Sequence, residues 1–184
     1  MQISAGHPLR KLFDGLVYHR VYDDAHVRDR DMADYIVNLL TDFADARNLY
    51  RIRNVRGRRL EDVGEMLIES NPLLNASSFD REREVRKHIG DYTLFMTGLF
   101  PEYVASLPRR GLRLDAFIDY VKAGKESYRI VSCFNQFEYR QQAALFAHLA
   151  DSFELCAYGL NLVKQDLERF QQRTYDRMRT LLGS

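Results

Sequence analysis

The sequence predicts an all-α protein, a single-domain bundle of about seven helices with short connections, and three observations carry that prediction. Apolar residues recur at three- and four-residue spacings along most of the chain. Alternating apolar and polar runs joined by Asn-Gly or Asp-Gly turns do not occur, which argues against a sheet. Finally, 184 residues with 46% hydrophobic side chains, 29% charged side chains and four prolines suit one compact domain with its own core, residues 1–184.

The first helix starts at Pro8, whose fixed φ suits a first helical turn. It aligns Leu9, Leu12, Phe13, Leu16 and Val17 on one side and ends near Asp23. Residues 1–6 are expected to be flexible. A second helix runs from about Arg30 to Arg47, with Met32, Tyr35, Ile36, Leu39, Leu40 and Phe43 as its apolar stripe. After an irregular, arginine-rich stretch over 48–59, Leu60, Val63, Met66 and Leu67 mark a short helix. It must stop before Asn71-Pro72, because the residue preceding proline avoids the helical region.

Residues 71–78 read as a second irregular stretch, and a fourth helix follows from Ser78 or Phe79 to Gly98. Pro101 opens a further short turn, and Pro108 to Gly111 read as a loop. From Leu114, the residues Phe117, Ile118, Val121, Tyr128, Val131 and Cys133 outline a fifth helix, and residues 139–150 a sixth. Asp151-Ser-Phe-Glu154 has the form of an N-terminal capping pair, which places a seventh helix through Leu155, Leu162, Val163, Leu167 and Phe170. One continuous last helix is the alternative.

Composition restricts function. Lys+Arg total 27 against 26 Asp+Glu, so no global field steers the molecule onto nucleic acid or an anionic surface, and any such binding must be local. Charged residues interrupt every apolar segment before the roughly 20 residues a membrane span needs. Met1 to Gly6 lack the charged start and apolar run of a secretory signal, so the expected location is the cytoplasm. Cys133 and Cys156 sit in apolar helical patterns and read as small core residues rather than a disulfide framework. Glycines at 15, 64, 90, 98, 124 and 159 fall in or at the ends of helices. Each interior one costs about 1 kcal/mol against alanine, a cost that close approach of another helix would offset.

The segment from Arg83 to Glu102 carries His88, Gly90, Asp91, Leu94, Phe95, Gly98, Phe100, Pro101 and Glu102. This His-x-Gly-Asp block, leading through Leu-Phe and glycine to Phe-Pro-Glu, resembles a stretch in an uncharacterised family of bacterial all-helical proteins of similar length. Asp119-Tyr120 followed by Gly124 and Tyr128 is a weaker similarity to the same family. The resemblance implies a helical, bacterial protein and brings no activity, cofactor or catalytic residue with it.

Read chemically, Glu84, His88 and Asp91 stand four and three residues apart and can share a helix face, a pattern that suits a carboxylate-histidine metal site. Such a site needs ligands from a second helix, which Asp115 and Asp119 could supply. The plainer reading is a polar network at His88 and Asp91 that pins a helix crossing at Gly90. Tyr92, Tyr120 and Tyr128, with His88 and Asp91, form a candidate ligand-binding set, to which Thr93, Thr97 and Ser132 could add hydroxyls. Arg51, Arg53, Arg56, Arg58 and Arg59 form a candidate anion-binding loop, since guanidinium forks grip phosphate and carboxylate in a bidentate way. Acidic residues at 61, 62, 65, 80, 82 and 84 stand beside them, so the expected state of that loop is an internally paired, solvated face. No nucleophile elbow, phosphate-cradling glycine loop, His-Glu-x-x-His or Cys-x-x-Cys occurs.

The leading expectation is therefore a non-catalytic helical module that binds protein and self-associates as a homo-oligomer. A small-molecule, metal-binding or enzymatic role at His88 and Asp91 is the first alternative, and anion or nucleic-acid binding by the arginine loop the second. No cofactor is specified.

Overall fold

The computed structural model describes residues 7–107, 116–169 and 179–180, and among them the protein is all-α. The expected flexible segment 1–6, the loop at 108–111, Leu114, Asp115 and Phe170 lie outside the described residues. The helices are α1 (Pro8–Val17), α2 (Arg30–Phe43), α3 (Ala46–Leu49), α4 (Val63–Glu69), α5 (Phe79–Leu99), α6 (Pro101–Ser106), α7 (Ala116–Cys133), α8 (Arg140–Asp151) and α9 (Phe153–Arg169). Among the described residues no helix is long and apolar enough to cross a membrane. The chain gathers into two compact units, residues 1–49 with 154–184, and residues 50–153.

In the first unit α1 starts at Pro8 as its sequence requires and runs on through a π-helical turn, Tyr18–Asp24. Asp29 caps α2 by accepting the Met32 amide at 3.2 Å. The helix expected to reach Arg47 stops at Phe43, and the short α3 follows. Phe13, Val17, Met32, Ile36, Leu40, Leu160 and Val163 are among the buried side chains. Gly159 lies against Val21, where an added Cβ would stand 2.9 Å from that residue's Cα, so here the helical glycine does permit close approach. Arg20 donates to both oxygens of buried Asp166, at 2.6 and 2.8 Å, and joins the two ends of this unit.

The second unit opens with a hairpin turn rather than a featureless loop. Buried Ile52 and Leu60 anchor its arms, with the Leu60 amide donating to the Ile52 carbonyl at 2.9 Å. Asn54 Oδ1 accepts the amides of Arg56 and Arg58, both at 3.0 Å, and Gly57 supplies the left-handed φ of 77° that closes the turn. Arg53 and Arg59 form one isolated antiparallel bridge. Asp62 then caps α4, and Ser78 caps α5 through the Arg81 amide at 3.1 Å.

From His88 to Leu99 every residue of α5 is buried, as a central helix of a small bundle must be. It runs antiparallel to α7, since Gly90 meets Tyr128 while Thr93 meets Gly124. The last two helices are separate, as the sequence suggested, but by a different device. The break falls at Ser152, whereas Asp151 closes α8 and takes an Arg129 hydrogen bond at 3.3 Å.

Candidate functional site

The residues singled out in the sequence sit mostly on α5, and its 3.6-residue turn sends them to different faces. Gly90 and Asp91 face α7. The Asp91 carboxylate, 3% exposed, accepts the Tyr128 hydroxyl at 2.8 Å and Lys87 Nζ at 2.7 Å. Tyr128 is fully buried, its ring 5.6 Å from that of Phe146 and 6.1 Å from that of Phe153. Asp91 is thus engaged in a polar network at the Gly90 crossing, with Tyr128 and Lys87 as the partners. Beside it, Arg83 stacks 3.9 Å above the Tyr139 ring and donates to Gln142 Oε1 at 2.8 Å.

Several expected contributors are occupied elsewhere. The Thr93 and Thr97 hydroxyls donate to carbonyls one turn earlier in α5, both at 2.7 Å, and Ser132 does the same to Arg129 at 2.7 Å. Glu84 is exposed and accepts from Arg81 at 3.0 Å, so it does not join buried His88 and Asp91. The expected Glu84, His88 and Asp91 metal set is not assembled. Among the described residues no group of three or more His, Cys, Asp or Glu is arranged to hold a metal ion.

On another side of α5, His88 and Tyr92 stand one turn apart with ring centroids 6.2 Å apart. Tyr92 also touches Tyr50 and Tyr120, each at 6.4 Å, and its hydroxyl points to the Glu61 carbonyl at 3.5 Å. Tyr92 and Tyr120 therefore do meet, but Tyr128 belongs to the Asp91 network instead. Burial, then the charge of nearby Tyr103 and Glu61, pushes the Tyr50 phenol up to about 12. Burial also raises Tyr92 and Tyr120, with Asp62 adding to the effect on Tyr120. These phenols stay protonated at neutral pH. Tyr50, Tyr103 and Glu61 were missed in the sequence because they lie on segments whose meeting with α5 leaves no local pattern.

The arginine loop departs furthest from expectation. Arg51, Arg53, Arg56, Arg58 and Arg59 are all exposed, and among the described residues only Arg58 finds a carboxylate, Glu65 at 2.8 Å. Arg53 donates to the Gly57 carbonyl at 2.8 Å within its own turn. The expected internal pairing of this face forms only in part, through Arg58–Glu65 and Arg81–Glu84, and three of the six neighbouring acids are engaged away from the hairpin arginines. Asp62 caps α4, Asp80 accepts the Tyr139 hydroxyl, and Glu84 pairs with Arg81.

Arg81 ties this hairpin to two helix ends. Its Nη2 donates to the Arg53 carbonyl at 2.6 Å and to the buried Glu69 carboxylate at 3.0 Å. The hairpin, α4, the 71–78 connection and the start of α5 carry Val55, Ile68, Leu73, Leu74 and Phe79, which are 81%, 52%, 91%, 62% and 75% exposed. Large apolar side chains left this open stand on segments next to exposed guanidinium groups, most of which form no ion pair among the described residues. The chain matches no family model, no curated protein and no solved structure.

Proposed function

We propose that this chain is a non-catalytic helical interaction module, docking through the arginine-fringed apolar end of its 50–153 unit. The occupant is an acidic, amphipathic segment of another protein. One observation carries this reading: among the described residues four of the five hairpin arginines lack a carboxylate, while five large apolar side chains stand exposed on the hairpin, α4, the connection after it and the start of α5. Carboxylates of a partner would take the guanidinium forks in bidentate pairs, and its apolar side would cover Leu73, Leu74 and Phe79. Self-association through the same end is disfavoured, because a two-fold contact would set like arginine fringes against each other.

The test is fluorescence anisotropy of a labelled amphipathic helical peptide carrying glutamates on its polar face, against the same peptide with lysines. The glutamate peptide should bind, more weakly as salt rises, and the lysine peptide should not. Changing Arg51, Arg53, Arg56 and Arg59 together to Glu, or Leu73, Leu74 and Phe79 together to Ser, should each weaken binding at least about tenfold. Tighter binding of duplex DNA or of phosphatidylserine vesicles, or indifference to the apolar changes, would overturn the reading. Native mass spectrometry of the unliganded chain completes it, since a dimer abolished by the arginine changes would make a second copy the occupant.

A further inference from the structure

Tyr50, Tyr92, Tyr103 and Tyr120 come from four segments, the residue before the hairpin, α5, α6 and α7. Tyr92, 2% exposed, forms the floor, with the Tyr50 and Tyr120 rings at 6.4 Å on either contact. Tyr50 and Tyr120 are half-buried and Tyr103 is 39% exposed, so these three face water as a rim. Beyond the effect of burial, nearby Tyr103 and Glu61 help raise the Tyr50 and Tyr92 phenols, and Asp62 and Tyr103 that of Tyr120. Asp62 is committed to capping α4, whereas the exposed Glu61 carboxylate makes no hydrogen bond or salt bridge among the described residues, although its charge reaches Arg58.

We infer that this cluster is a binding site for an organic ammonium group, with Tyr50, Tyr103 and Tyr120 around the cation and Glu61 supplying its counter-charge. The ring quadrupole presents a negative face, and the phenol hydroxyl adds electron density to it. An anion would meet Glu61 and Asp62 at the rim. A bare metal ion would find no set of three ligands here. An alkylammonium fits both halves of the site, because its methyl or methylene groups pack on the rings while its diffuse charge is met by one carboxylate without the full loss of hydration a small ion demands. Tyr50 and Glu61 flank the base of the arginine hairpin, but the two assignments rest on different side chains, so either can fail without the other.

Tetramethylammonium is the probe, with neopentyl alcohol as its uncharged counterpart of similar shape, each titrated into the full chain at constant ionic strength. The chain contains no tryptophan and 11 tyrosines, so tyrosine emission, together with NMR shifts, reports on the rings directly. Saturable binding of tetramethylammonium is expected, about 2- to 30-fold tighter than that of the alcohol, the range that cation–π attraction supplies between exposed and desolvated settings. Tyr103→Leu and Glu61→Gln alter exposed side chains and should fold normally by circular dichroism, and each should weaken tetramethylammonium by a similar factor while leaving the alcohol unchanged. No saturation, equal affinity for cation and alcohol, or binding unmoved in both variants would overturn the inference.

Discussion

Replacing Gly90 by alanine adds one methyl group at the crossing of α5 and α7, where three atoms of the Tyr128 ring lie 2.9 Å or less from the position the new Cβ would take. Ordinary carbon contacts need about 3.5–4 Å, so the ring must retreat by about 1 Å. It has little room to do so. Phe146 and Phe153 back the ring, and the hydroxyl is held by Asp91 at 2.8 Å. Overpacking at such a site costs about 1–3 kcal/mol, and the absence of a yielding neighbour puts this case near the top of that range. Alanine returns about 1 kcal/mol of helix propensity, leaving a net loss of about 2 kcal/mol. For a chain of this size that lowers Tm by about 4–8 °C. Gly15→Ala in α1 is the internal control, since nothing lies within 4 Å of its added Cβ and only the propensity gain remains. Thermal melts followed by circular dichroism should therefore move in opposite directions, down for Gly90→Ala and up for Gly15→Ala. Trimming the obstruction, with Tyr128→Leu in the Gly90→Ala background, should give a loss smaller than the sum of the two single changes. A Gly90→Ala melt that rises with the control would refute the packing argument.

Two further outcomes follow from burial and charge. Arg20, donating to both Asp166 oxygens, holds that carboxyl below its ordinary value, so the unfolded chain binds the proton more readily than the folded one. The resulting stabilisation is full above about pH 4 and disappears as pH falls through the native value. Asp166→Asn should cost about 2 kcal/mol in denaturant titrations at pH 7 and progressively less as pH falls below about 4; a constant difference would remove the linkage. The cysteines should separate in a thiol-labelling time course. Exposed Cys133 reacts at once, while Cys156, fully buried and pushed up to about 12 by that burial, reacts only on unfolding; two equally fast thiols would contradict the placement.

The helices were legible because their determinants are local. Pro8, Asp29, Ser78 and Pro101 stand at helix starts with the capping or first-turn chemistry their types imply, and the apolar spacing between them needs no knowledge of tertiary structure. The misreadings also have local causes. Phe43 ends α2 although the apolar rhythm continues into α3, and Asp151 resembles a cap while serving as the last residue of α8. Cys133 reads as core from its neighbours, yet at the end of α7 it is exposed, because periodicity does not report where a helix leaves the bundle.

The sites were less legible because each depends on which segments meet. His88, Asp91, Tyr92 and Tyr128 look like one constellation along the sequence, but α5 turns Asp91 toward Tyr128 and brings His88 beside Tyr92. The residues that complete the tyrosine cluster, Tyr50 and Tyr103, come from either end of a stretch of more than fifty positions. The arginine loop shows the same principle through charge. Six acids near it in sequence suggested neutralisation, yet a capped helix, a tyrosine hydroxyl and Arg81 take three of them, and among the described residues only Glu65 forms a salt bridge with a hairpin arginine. Arg81 matters most in this division, because by engaging Glu69, Glu84 and the Arg53 carbonyl it both builds the apolar end and withholds Glu84 from the arginines. The same ion pairs that fold this corner of the unit therefore leave four of its guanidinium groups without a carboxylate among the described residues, which is the premise of the proposed acidic partner.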